Sequence, residues 1–151
     1  MLFRTHVVFS VFVYFVLSYF LEMPWFILLF ILLATVFVDV DIEGSRFGNH
    51  WFFRPLQFLV KHRGVIHSLF FGLFLSLILG SVNLWAGFGF FVGYLSHLFL
   101  DCWTKSGVKL FWPFRWKVKG FVRSGSWVED VLFVLILILD ILYFVVRTFA
   151  Y

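Results

Sequence analysis

Five apolar runs divide this chain, at about His6 to Leu21, Trp25 to Val38, Ile66 to Val82, Leu84 to Leu100 and Trp127 to Val146. Runs of this kind, joined by short polar breaks, leave few folds open. Backbone polar groups in a hydrocarbon layer must be satisfied within the chain, which selects helices. Composition points the same way: 63% of the 151 residues are hydrophobic, 25% are aromatic and 13% are charged, with a mean hydropathy of +1.02. The expected fold is all-α, a multi-pass transmembrane bundle of about five apolar helices forming a single membrane-embedded domain over residues 1–151. Several runs fall short of the roughly 20 residues that cross a bilayer core, and the second, taken alone, also suits a buried or re-entrant helix. Later apolar runs, and the lack of a small-residue cleavage pattern after the first, argue against a removed secretory signal.

Glu22-Met23-Pro24 and Gly80-Ser81-Val82-Asn83 are tight breaks, so they join antiparallel helical hairpins. The connections Asp39–Val65 and Asp101–Ser126 are long and polar. With five spans, both lie on the same side as the N-terminus. That side holds eleven of the twelve basic residues, all but Arg147, and the positive-inside rule makes it cytoplasmic. The basic surplus therefore sets topology, and no nucleic-acid partner is expected. Cys102 is the only cysteine, which excludes an intramolecular disulfide and a thiolate metal cluster.

Ligand-type side chains gather at the same boundary. His6 opens the first helix; Asp39 and Asp41 close the second; His62 and His67 flank the start of the third; His97 and Asp101 close the fourth; Glu129 and Asp130 open the fifth. His97 and Asp101 are one helical turn apart and share a face. A hydrogen-bonded helix end is the plain reading of that pair alone. With His6, His62, His67 and one of Asp39 or Asp41, Asp39 being preferred, a divalent metal site becomes the better reading, since a cation offsets groups that are expensive at membrane depth. A bend at Gly64 is needed for His62 and His67 to converge. Arg63 is read equally as a clamp for an anionic oxygen and as a headgroup anchor. His50 and the aromatics around it and around Trp112 read as an interfacial belt. Asp140, about 16 Å along the last helix from Glu129, reads as a structural intramembrane acid.

The stretches HRGVIHS, GYLSHLFLDCWTKSGVKLFWPF and GSWVED resemble the membrane-bound metal-dependent hydrolase family, the YdjM-type proteins also labelled LexA-binding inner-membrane hydrolases. The resemblance covers nearly the whole chain, and SHLxLDxxTxxGxxLxxPF is its specific part. It implies functional roles for His62, Arg63, His67, His97 and Asp101, with support from Thr104 and Gly107; Ile66 stands where the family pattern leads one to expect threonine. A looser likeness to zinc-dependent phospholipase C and single-strand nucleases implies that His6, Asp39 or Asp41, His67, His97, Asp101 and Glu129 are metal ligands. The expected function is an inner-membrane, metal-dependent hydrolase cleaving a phosphoester in a lipid or lipid-linked substrate at the cytoplasmic face. Asp41 or Glu129 would serve as general base and Arg63 as oxyanion clamp. Histidine content favours zinc over manganese, iron or magnesium. The alternatives are a non-catalytic membrane protein with a regulatory protein partner and, third, a metal or proton transporter.

Overall fold

The computed structural model describes residues 1–39 and 64–149. Among these residues the regular structure is helical: α1 (Phe3–Phe20), α2 (Ile27–Val38), a 3₁₀ turn (Val65–His67), α3 (Leu69–Val82), α4 (Leu84–Cys102) and α5 (Trp127–Phe149). The five α-helices coincide with the five apolar runs. Side-chain caps mark two starts: Ser68 accepts from the Phe71 amide and Asn83 from the Ala86 amide, each satisfying a donor that the first turn leaves without an intrahelical partner.

α4 is the hub. It packs on α2, α3 and α1, while α5 packs on α1. Its sequence explains this position, because small residues line the faces turned to its neighbours. A Cβ on Gly93 would stand 2.1 Å from the Ile31 carbonyl oxygen, and one on Gly87 would stand 2.5 Å from the Gly80 Cα. Glycine thus sets how closely α2 and α3 approach α4. The interior between them is filled by Ala34, Val38, Phe90, Tyr94 and Leu98, with Val108 from the following loop.

Two of the helices, α1 and α5, are long and apolar enough to cross a membrane. Only 6% of the apolar window of α5 is buried, so this helix is not a soluble core element; its side chains face outward along most of its length. α2 and α3, with 12 and 14 residues, extend about 18 and 21 Å at 1.5 Å per residue. α4 has 19 residues, but its glycines and buried polar groups reflect contact with protein on several sides.

Candidate metal centre

Four elements bring five groups to the centre, α4 supplying two of them, and a local reason can be given for each. His6 lies in the first turn and a half of α1, whose start is tied to α5. Glu129 Oε1 accepts from the Leu2 amide and from Thr5 Oγ1 at 2.9 Å, and Oε2 accepts from the Gly125 amide at 2.7 Å. Arg4 pairs with Asp130 on the surface. Asp39 caps the C-terminal end of α2. His67 ends the 3₁₀ turn, which is held by Tyr94: its hydroxyl donates to the Ile66 carbonyl and reaches the Ser68 carbonyl at 3.2 Å. Ile66 itself is buried, so the apolar residue at this position fills the core and leaves the polar contact to its backbone. His97 and Asp101 occupy the last turns of α4.

These side chains converge. Asp101 Oδ1 lies 3.5 Å from His6 Nε2, while Oδ2 lies 3.6 Å from His67 Nε2 and 3.8 Å from His97 Nε2. His97 Nε2 is also 3.5 Å from Asp39 Oδ1. The His6 and His97 rings stack, with centroids 3.9 Å apart and planes inclined by 10°. His6, His67, His97 and Asp101 are all buried, and Asp39 is the most accessible member, its side chain 16% exposed. Burial pushes the Asp39 carboxyl up from the ordinary aspartate range; the His6 imidazole opposes this and the Asp101 carboxylate adds to it.

The separations distinguish two kinds of cluster. Hydrogen-bonded nitrogen–oxygen pairs stand about 2.7–3.2 Å apart. Ligand atoms each about 2.0–2.2 Å from one ion, at tetrahedral to trigonal angles, stand roughly 3.3–3.8 Å from one another. The imidazole–carboxylate distances here fall in the second range, whereas the N-terminal ammonium of Met1 donates an ordinary hydrogen bond to Asp101 Oδ1 at 3.0 Å. Two overlapping groups, His6, His97 and Asp101, and Asp39, His67 and His97, each offer three ligand-type atoms within 4.8 Å of one another.

His97 shows how its ligating nitrogen is prepared. Nδ1 is 3.1 Å from the Thr35 carbonyl; a carbonyl only accepts, so Nδ1 carries the proton and Nε2 presents a lone pair. Buried Nε2 has no hydrogen-bond partner among the described residues. A donor set of imidazoles and carboxylates aimed inward, with such a nitrogen at its centre, fits a divalent cation.

Of the residues expected at the site, the structure brings together His6, Asp39, His67, His97 and Asp101. Thr104 and Gly107 stand just beyond as loop supports: Thr104 Oγ1 donates to the Asp101 carbonyl at 2.8 Å and accepts from the Gly107 amide at 3.2 Å, and Gly107 adopts φ +61°. Glu129 belongs to neither metal-competent group, and its oxygens are engaged by the three donors described above. Asp41, His62 and Arg63, like His50, lie outside the described residues. Asp140 is buried in α5, away from the cluster.

A set of buried hydroxyls that sequence reasoning passed over lies directly beneath. Ser10 Oγ is 2.7 Å from Thr35 Oγ1 and 3.0 Å from Ser96 Oγ, linking α1, α2 and α4. The signal was spacing: Ser10 follows His6 by four residues, Thr35 precedes Asp39 by four, and Ser96 precedes His97.

A family profile described as YdjM inner membrane protein matches residues 1–151. The inner membrane protein YdjM of Escherichia coli (strain K12) is 34% identical over 104 residues, covering 63% of this chain and 53% of its own length; YdjM of Shigella flexneri gives the same values. YvsG of Bacillus subtilis (strain 168) is 33% identical over 101 residues, or 62% of each chain. The matched region spans about half the length of the two YdjM relatives. No solved structure matches the chain.

Proposed function

The chain belongs to the YdjM inner membrane protein family, and from that premise we propose that it is a multi-pass membrane hydrolase, dependent on a divalent metal, that cleaves a phosphoester in a lipid or lipid-linked substrate. The observation that carries this reading is the buried set of imidazole–carboxylate separations of 3.5 to 3.8 Å, contributed by four separate elements. The surplus of basic residues on the N-terminal side of a five-span arrangement supports a site facing the cytoplasm.

His6, His67, His97, Asp39 and Asp101 would hold the ion, and three imidazoles without a thiolate favour zinc. A divalent ion bound there lowers the pKa of water toward neutrality and offsets charge developing on a phosphoryl group. Asp101 turns one oxygen toward His6, where the Met1 ammonium also contacts it, and the other toward His67 and His97. The Thr35 carbonyl holds His97 in the tautomer that ligates. Burial of four of the five groups excludes bulk water, and substrate approaches past the more accessible Asp39. Asp41 accepts the proton and Arg63 clamps a phosphoryl oxygen. Glu129 acts as a positioning residue, securing the helix that carries His6.

The test is metal analysis of the detergent-purified chain together with assays for phosphate or headgroup release from lipid extracts. Wild type is expected to retain about one or more metal equivalents and to release product, and His97→Ala to lose both. Metal-free wild-type protein whose stability is unchanged by chelator would overturn the reading.

A further inference from the structure

The segment from Trp103 to Ser126, which adjoins the cluster through Thr104, carries a second feature on its outer face. It is a folded platform. Val108 and Val118 exchange amide–carbonyl hydrogen bonds, both 2.9 Å, the Lys105 amide donates to the Val122 carbonyl at 2.9 Å, and the Gly120 amide donates to the Thr104 carbonyl at 3.0 Å. Thr104, Val108 and Val122 take the interior positions of this platform. Its aromatic residues are consequently turned outward, with Phe114 67% and Trp116 80% exposed.

Some of them form a groove of about 580 Å³ lined by Phe70, Phe111, Phe114, Arg115 and Trp116, within the usual range for small-molecule sites, roughly 300–1,000 Å³. Phe70 comes from the first turn of α3, and the hydrogen bond from the Leu69 amide to the Leu110 carbonyl, 2.8 Å, joins platform to helix there. Arg115 is the cation among the described lining residues. Residues 102–128 contain six basic side chains and no acidic one, so the charged side chains of the platform itself are all cationic.

We propose that this groove binds one anionic phospholipid, an acyl chain lying against Phe70, Phe111, Phe114 and Trp116 and the headgroup phosphate on Arg115. Apolar walls match the chain. A planar guanidinium offers two parallel donors to a phosphate, and the basic side chains of the platform favour a headgroup of net negative charge over a zwitterionic one. The proposal does not depend on turnover at the metal centre.

Native mass spectrometry of the detergent-purified full chain, titrated with equal amounts of phosphatidylglycerol and phosphatidylethanolamine of the same acyl composition, tests it. Wild type is expected to carry the anionic lipid in about fivefold excess, the gain one basic group gives at a membrane surface. Arg115→Gln should bring the two lipids to near parity, Phe114→Ala should reduce occupancy of both, and Arg123→Gln, on the same platform outside the groove, should retain the preference. Equal binding by wild type, a preference surviving Arg115→Gln, unchanged occupancy in Phe114→Ala, or an Arg123→Gln variant that behaves like Arg115→Gln would each overturn the groove as the seat. Melting temperatures of the variants, all at exposed positions, verify that they are folded.

Discussion

Asp101 faces three imidazoles and the N-terminal ammonium, and its two oxygens are not interchangeable: Oδ1 faces the Met1 nitrogen and His6, and Oδ2 faces His67 and His97. Replacing it with asparagine removes the negative charge and turns one oxygen into a donor pointed at ring nitrogens. Metal affinity of Asp101→Asn should fall by more than the roughly 10–100-fold that loss of an outer partner costs, measured by competition with a chromophoric chelator, while helix content by circular dichroism stays at the wild-type level. The i,i+4 spacing of His97 and Asp101 was readable from the chain, because helical geometry fixes which residues share a face. The role of Thr35 was not, since what holds the His97 ring is a backbone carbonyl from another helix, and every residue other than that pair of partners would have served equally well on paper.

Helix ends are where this protein concentrates its polar chemistry, and at α5 the acid that opens the helix is engaged by donors from α1 and from the preceding turn. Glu129 opens α5, where an acid also suits the positive end of the helix dipole, yet its oxygens accept from Leu2, Thr5 and Gly125. It joins α1 to α5. Glu129→Gln leaves one oxygen where there were two, so at least one buried donor loses its acceptor. The expected cost is about 1–3 kcal/mol, measured by thermal unfolding in detergent, with weaker metal retention because α1 carries His6. Turnover per bound metal should be preserved. A variant that keeps its metal and its stability but loses turnover would show instead that Glu129 moves a proton in the reaction.

On the proposed reading, stability and metal occupancy would be linked across the whole molecule, since the candidate ligands from α1, α2, the 3₁₀ turn and α4 come together only in the folded chain. An ion present at about 1,000 times its dissociation constant adds about 4 kcal/mol to folding. Chelator should therefore lower the melting temperature of wild type by several degrees and leave that of His97→Ala unmoved; equal responses would separate the cluster from metal binding. The same global view explains why the helices differ in composition. α5 meets other protein along one narrow face and is apolar nearly all round, whereas α4 is enclosed by α1, α2 and α3 and needs glycines where they approach.

The linear order of residues was enough to establish the helical segments, their tight breaks, the crowding of histidines and aspartates at one set of helix ends, and family membership. Those properties depend on local periodicity, hydropathy and short-range spacing, all of which are present in the unfolded chain. Packing decided the rest: which helix is central, that Glu129 fastens α1 instead of joining the cluster, that Ser10, Thr35 and Ser96 meet beneath it, and that aromatics around Arg115 form a groove. Each of these depends on distances between residues far apart along the backbone, and such distances are set only when side chains from several helices exclude one another from the same space.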